Sequence, residues 1–303
     1  MGTGFGMYVE RAGGLFETAD AELLPDGRIL VRSGSSPHGQ GHDTTFAQLA
    51  AERLGVGLDD VEFRFGDSKE VPRGVGTFAS RSVAMGGSAV VQAVDALKRK
   101  CLPVAARLLG ASEGELDWGD GGCVSAADGR TVWLRDLAGA EPGIRASARF
   151  ESDLVFSSGA YGAVVEIERA TGQLRVLRVA AVDDAGTIVN PLLAEGQVIG
   201  ATAQGLGQCL VEQAVYDEEG NPTFASFLGY RLLTAAEMPP VITAFVESPS
   251  PLNPLGAKGI GEGGSVGTPG AVANAVADAL GGVRVDPPFS AGKLWRALRE
   301  AGS

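Results

Sequence analysis

Three times along this chain a glycine- or serine-rich loop runs straight into a pattern that opens a helix: residues 33–42, 74–82 and 256–267. Free backbone N–H groups and the helix dipole make each junction a cradle for an anion, although a single such loop more often serves only a tight turn. Three of them belong to a chain with 45 glycines in 303 residues, about twice the usual ~7% share. No Gly-X-Y period accompanies the glycines and 45% of the residues are apolar, which excludes collagen-like and disordered chains and calls for backbone packed closely on something. A buried ligand is one candidate. A chain this long buries about three quarters of its unfolded surface and usually divides into two units, so it needs no disulfide or metal staples.

Residues 20–24 and 28–33 alternate around Pro25-Asp26-Gly27 and predict a hairpin. From Asp43 the apolar positions Phe46, Leu49, Ala50 and Leu54 fall at helical spacing, with Asp43 or Thr44 as N-cap and Gly55 as the stop. A strand over 61–65 and a helix over 82–109, interrupted at Pro103, follow. Residues 110–150 are weakly patterned apart from 131–137 and read as peripheral. A second hairpin, 162–168 with 174–182, flanks Thr171-Gly172. A third helix spans 192–209, residues 213–216 pair toward a turn at 219–222, and 241–247 form a strand. The last helix is expected to open at Thr268 and Pro269 and to close at Gly281. Hairpins interleaved with helices give an α+β fold: mixed sheets with packed helices in two interleaved subdomains. Residues 1–109 with 250–303 are expected to form one part, and 110–249 a second α+β part.

The balance of 25 Lys+Arg against 37 Asp+Glu gives a net charge of −12, and no basic run is longer than Lys98-Arg99-Lys100. Nucleic acid and anionic membrane surfaces would be repelled. Cys101, Cys123 and Cys209 form no Cys-x-x-Cys pair, so neither a disulfide framework nor a zinc or iron–sulfur site is read. The expected compartment is the reducing cytoplasm, since no run approaches a membrane span and residues 1–10 lack a signal pattern.

Gly2-Thr3-Gly4-Phe5-Gly6 is not a dinucleotide fingerprint, because no strand precedes it and no helix opens from it. His38 and His42 stand four apart, but the flexible Gly39-Gln40-Gly41 between them argues against the helix on which a zinc pair, and a zinc hydrolase, would be built. Glu262 is the only ionisable residue from Gly259 to Ala277. Low-polarity surroundings penalise a charged carboxylate and suit a general base working near neutrality. The alternative is an acidic residue favouring the dipole of the helix beyond it. Gln40, between two glycines, and Gln204, followed by one, offer an acceptor and two donors to a planar heterocycle, or are surface turn residues.

Taken together, Ser35-Ser36-Pro37-His38-Gly39-Gln40-Gly41-His42, Thr77-Phe78-Ala79-Ser80-Arg81-Ser82, Ala203-Gln204-Gly205-Leu206-Gly207 and Gly256-Ala257-Lys258-Gly259-Ile260-Gly261-Glu262-Gly263-Gly264 resemble the xanthine oxidase family of molybdenum hydroxylases. Their order and spacing are similar to the C-terminal half of its molybdopterin-binding large subunit, as in bacterial aldehyde and carbon monoxide dehydrogenases. Asp184-Ala185-Gly186, Asn190-Pro191 and Glu195-Gly196-Gln197 add to the likeness. The resemblance implies a molybdenum–molybdopterin cofactor in its cytosine dinucleotide form. It implies that Gly39, Gln40, Gly41, Thr77, Ala79, Ser80, Arg81, Ser82 and Gln204 bind that cofactor, with Ser80 and Ser82 at its phosphates and no protein side chain on the metal. Glu262 would be the catalytic base, in the oxidation of an aldehyde, N-heterocycle or similar small molecule with water as the oxygen source.

The family's first cofactor-binding half has no counterpart here, nor have its iron–sulfur and FAD modules. The implied partners are therefore an N-terminal half of the large subunit, an iron–sulfur subunit and an FAD subunit. A second reading of the same ancestry is a non-catalytic module that binds or delivers the cofactor.

Overall fold

The computed structural model describes residues 1–71, 73–226 and 228–300. In chain order the elements are β1 (Gly2–Gly13), β2 (Phe16–Leu23), β3 (Ile29–Ser33), α1 (His42–Leu54) and β4 (Val61–Arg64). A π-helical turn, Ser82–Gly87, leads into α2 (Ser88–Leu109), followed by β5 (Leu116–Gly119), β6 (Gly122–Ser125), β7 (Thr131–Trp133), α3 (Leu134–Ala140) and β8 (Arg145–Glu151). Then come β9 (Leu154–Ile167), β10 (Leu174–Asp184), α4 (Pro191–Leu210), β11 (Val241–Val246), α5 (Gly263–Ala279) and α6 (Ala291–Glu300). The expected mixed α+β architecture is what the chain adopts. No helix among the described residues is long and apolar enough to cross a membrane.

Two four-stranded sheets are joined by one bent ribbon. β1 pairs antiparallel with β9 from Gly2↔Val165 to Gly13↔Leu154, and just beyond, β2 pairs with β8 from Phe16↔Glu151 onward. Between the two pairings Gly13, Gly14 and Leu15 all have positive φ (81°, 76° and 60°), a left-handed stretch that glycine adopts without penalty. The ribbon thus feeds a sheet ordered β1-β9-β10-β11 on one side of the bend and one ordered β4-β3-β2-β8 on the other, with β5-β6-β7 as a small third sheet.

The cores follow the sheets and not the expected grouping of 1–109 with 250–303. One core holds Leu23, Phe46, Met85, Leu97, Leu137 and Phe150, so residues 110–150 belong with the first hundred. The other holds Tyr8, Tyr161, Val179, Leu206, Val276 and Leu294, so the C-terminal helices belong with β1, β9 and β10. The reason is β8: its pairing to β2 ties the stretch that looked peripheral into the first sheet.

β1 explains much of the glycine. Its glycines face inward against α5: a Cβ on Gly2 would stand 2.1 Å from the Ala275 carbonyl, on Gly4 2.1 Å from the Ala275 nitrogen, and on Gly6 2.6 Å from the Ala271 nitrogen. Strand and helix backbones touch. The helix answers in kind, since a Cβ on Gly263 would fall 2.3 Å from the Tyr8 hydroxyl and on Gly267 2.5 Å from the Tyr161 ring. This packing corrects the expected start of the last helix. α5 begins at Gly263, with Thr268 and Pro269 inside it, because close contact on two sides outweighs the poor intrinsic propensity of its glycines. α2 likewise continues through Pro103 without a break.

Candidate functional site

At the junction of the two sheets lies a cavity of about 270 Å³. Four helix starts contribute to its wall: Gln40 and His42 at α1, Ser82 at the π-helical turn, Asn190 at α4 and Glu262 at α5. The sequence points to three of these as loop-helix junctions. The fourth rests on Asn190, whose Oδ1 accepts from the Leu193 backbone at 3.0 Å and whose Nδ2 donates to Gln48 Oε1 at 2.9 Å. Pro191 at the first helical position completes that cap.

The 74–82 loop is held from behind by a fully buried ion pair. Arg81 Nη1 donates to Glu17 Oε2 at 2.8 Å, and both side chains are 0% exposed. Glu17 also accepts from Ser35 Oγ (3.1 Å) and from the backbone nitrogens of Val75 (3.2 Å) and Gly76 (3.1 Å). Arg81 donates further to the carbonyls of Gly76 and Phe16, each at 2.6 Å. The Arg81 side chain therefore turns away from the cavity and is not part of its lining. A buried cation whose two terminal nitrogens are both engaged anchors the loop. Sequence reasoning missed Glu17, which alternates along β2 like any strand residue.

So anchored, the loop is strained where it meets the cavity. Ala79 and Ser80 have φ of 46° and 48°, a conformation costly for residues with a Cβ and often found where a site over-determines its backbone. Gly259 makes the contact beneath them, since a Cβ there would lie 1.9 Å from the Ser80 carbonyl oxygen. The 256–262 segment is stitched to the end of β10: Thr187 donates to the Gly256 carbonyl (3.0 Å), Lys258 to the Ala185 carbonyl (2.8 Å), and Lys258 Nζ pairs with Asp184 Oδ2 at 2.7 Å. Burial works to raise the Asp184 carboxyl, but the Lys258 ammonium and the Gly186 and Ser248 N–H groups together hold it below the usual range.

Glu262 sits at the mouth, exposed, as the N-cap residue of α5. Both readings of it meet there, the helix start and the cavity wall, while the expected low-polarity enclosure is not supplied by this chain. Ser80 fixes its direction: Ser80 Oγ donates to Glu262 Oε2 at 2.9 Å and accepts from the Glu262 backbone N–H at 3.1 Å.

Of the other expected contacts, Gln40, Thr77, Ala79, Ser80 and Ser82 line the cavity. Gly39 and Gly41 flank Gln40 at φ of 105° and 73°, and Gly41 leaves room for Leu193, which a Cβ would approach to 2.9 Å. Gln40 Oε1 accepts from the His38 backbone, leaving its amide donors free. Ser82 Oγ is engaged with Thr77 Oγ1 at 2.9 Å. Gln204 is not in the wall. It lies exposed on α4, seven residues and about 10 Å beyond Gln197, which does line the cavity. His42 is buried and stacks on Phe46, ring centroids 5.1 Å apart and planes 4° from parallel, whereas His38 is exposed. Burial lowers the His42 pKa, and its Nδ1 has no partner. The two histidines do not act as a pair.

The donor set consists of amides, hydroxyls and helix starts, with one cation already paired. It fits a polar, anionic organic group such as a molybdopterin, whose pterin needs edge hydrogen bonds and whose phosphates need N–H donors.

Comparison with known proteins agrees with that fit. Residues 1–239 match the family described as the molybdopterin cofactor-binding domain. The chain is 34% identical over 302 residues to the carbon monoxide dehydrogenase large chain of Afipia carboxidovorans, covering 95% of this chain and 37% of that one. It is 34% identical over 330 residues to the nicotine 6-hydroxylase large subunit of Paenarthrobacter nicotinovorans, covering 99% and 40%. A Cu,Mo carbon monoxide dehydrogenase structure superposes with a TM-score of 0.90 at 32% identity, over 99% of this chain and 41% of that chain. Quinoline 2-oxidoreductase from Pseudomonas putida 86 gives 0.89 at 31% identity, over 99% and 42%. The chain spans about two fifths of the length of these relatives. A cavity built from four helix starts, a strained serine loop and a capping glutamate thus lies in a chain that belongs to the molybdopterin cofactor-binding domain family, of the xanthine oxidase type of large subunit.

Proposed function

We propose that this chain is the glutamate-bearing part of a molybdenum hydroxylase that oxidises an aldehyde, an N-heterocycle or a similar small molecule with water as the oxygen source. The observation that carries the reading is Glu262 at the cavity mouth, oriented by Ser80 from a loop whose strained backbone faces the same space. Gln40, Ser80, Asn190 and Gln197, with the backbone of Ala79, would hold the cofactor, and Gln204 would meet an extended portion such as a cytosine dinucleotide. When bound, the molybdenum centre supplies two-electron oxidation of the substrate. Glu262 is placed to take a proton from a group in the cavity, its carboxylate held in direction by the Ser80 hydroxyl at Oε2.

The remaining partners are an N-terminal half of the large subunit, an iron–sulfur subunit and an FAD subunit, assembled in the cytoplasm. Two observations support a covering partner. The relatives extend well beyond this chain's span, and the outer face of the β1 sheet is apolar and open, with Phe5 72%, Met7 84% and Val9 73% exposed beside Phe156, Val182, Ile242 and Val246. A patch of this kind marks an interaction surface. The three cysteines are free and buried, as a reducing compartment allows.

The test is Glu262→Gln in the assembled complex. Gln keeps the size and the Ser80 contact but cannot accept a proton, so molybdenum content should stay at the parental level while reduction by substrate slows by ~10²–10⁴. Stopped-flow reduction beside metal analysis of the same sample reads both. Full metal with an undiminished reduction rate would leave the chain as a cofactor-binding module only.

A further inference from the structure

The register between β1 and α5 carries a second carboxyl to the site. Two strand residues advance about 6.7 Å and four helix residues about 6.0 Å, so the contacts step together: Gly4 against Ala271 and Ala275, Gly6 against Gly267 and Ala271, Tyr8 against Gly263. The next inward position on the strand is Glu10, beyond the end of the helix, and beside Gly263 at that end stands the cap residue Glu262. Their carboxyl groups come within hydrogen-bonding reach of each other. Glu10 Oε2 is buried and meets no donor.

Two carboxylates in such contact do not both stay ionised, since like charges at this range strongly disfavour the doubly charged state. A hydrogen bond between them requires a proton, and the unpartnered Oε2 is where an O–H would sit. The surroundings offer no other remedy. On Glu10's own strand Tyr8 is committed to Asp183, donating to Oδ1 at 2.7 Å, and Tyr161 from β9 bonds the same carboxylate at 3.1 Å. Opposite Glu10 on β9 is Ser157, a buried neutral hydroxyl. Lys258 is spent on Asp184, and the Ser80 hydroxyl on Glu262. No cation among the described residues acts on Glu10, whose carboxyl is pushed up to about 7 by burial first and by Glu262 second.

We propose that Glu10 is a positioning residue for Glu262: the two carboxyls bind a single proton as one unit, and Glu10 sets the pH at which Glu262 is free to accept a proton from the cavity. The shared proton rests on the Glu10–Glu262 contact and on the buried, unpartnered Glu10 Oε2. Its consequence for turnover rests on the reading of Glu262 as the base.

Glu10→Gln in the assembled complex separates the two. Gln presents an N–H where the protonated acid presents an O–H, so it keeps the contact and the fold while removing the titration. Infrared titration of the carboxylic-acid band should show one proton leaving near pH 7 in the parent, no such step in Glu10→Gln, and a step moved to lower pH in Glu262→Gln. The acid limb of substrate-driven reduction should move down by roughly one pH unit or more in Glu10→Gln, with the plateau rate kept. An undiminished near-neutral band in Glu10→Gln overturns the shared proton. A lost band with an unmoved acid limb overturns the role given to Glu10. The base reading fails separately, if Glu262→Gln reduces as fast as the parent, and the infrared result stands or falls irrespective of it.

Discussion

Glu17→Gln would test what holds the serine loop against the cavity. The two carboxylate oxygens divide five donors between them: Oε1 takes the Thr18 and Val75 N–H groups at 3.0 and 3.2 Å, and Oε2 takes Ser35 Oγ, the Gly76 N–H and Arg81 Nη1 at 3.1, 3.1 and 2.8 Å. A glutamine amide is nearly isosteric, yet either orientation turns an NH2 toward at least two N–H donors. It also leaves the fully buried Arg81 guanidinium without its counter-charge. Breaking a buried pair from one side costs about 3–5 kcal/mol, and at about 2–4 °C per kcal/mol for a domain of 150–250 residues the melting midpoint should fall by roughly 6–20 °C. Scanning calorimetry at neutral pH measures this, and molybdenum content should fall with it, because Ala79 and Ser80 lose the support that keeps them left-handed. Replacing both partners, Glu17→Leu with Arg81→Met, should not restore the parent. The carbonyls of Gly76 and Phe16 and the N–H groups of Val75 and Gly76 would then be buried without partners, at about 1–3 kcal/mol each. A midpoint within ~2 °C of the parent for Glu17→Gln, with full cofactor, would refute the anchoring argument.

Gly259→Ala should lower both stability and cofactor content, by ~1–3 kcal/mol in the first, since its Cβ would meet backbone at 1.9 Å. Gly200→Ala in α4 is the control: its Cβ meets nothing, so the change should be neutral or stabilising by up to ~1 kcal/mol in chemical denaturation. Ser80→Ala with Ser82→Ala should reduce molybdenum occupancy of the assembled enzyme, and Ser80→Ala alone should account for most of the loss because the Ser82 hydroxyl is already bonded to Thr77. Equal occupancy in parent and double variant would remove both serines from the cofactor site.

What the sequence determined by itself were the elements with strong local signals. The Asp43 helix with its Gly55 stop, the hairpin turn at 171–172 with its second strand, and the helix expected over 192–209 appear within a residue or two of where periodicity put them, because helical and alternating patterns report burial on one face directly. The first hairpin strand begins eight residues ahead of the expected 162, at Leu154. The loop-helix junctions were legible as glycine- or serine-rich runs ahead of helical patterns, and with them Gln40 and Glu262, whereas Ser80 stood out only through the motif resemblance.

Tertiary structure decided what local pattern could not. β1 reads backwards: Phe5, Met7 and Val9 face outward while glycines face the core, so alternation carries the wrong sign unless a helix of small residues is known to lie on it. α5 begins ahead of its apparent cap because contact with Tyr8 and Tyr161 outweighs glycine's propensity. Arg81 and Gln204 sit in motifs that hold neighbouring residues to the cavity, but which way a side chain turns depends on Glu17, 64 positions away, and on the face of α4. The encounter of Glu10 with Glu262 is the clearest case. Some 250 residues separate them along the chain, a distance over which no sequence periodicity persists, and only the packing of β1 against the start of α5 brings the two carboxyls together.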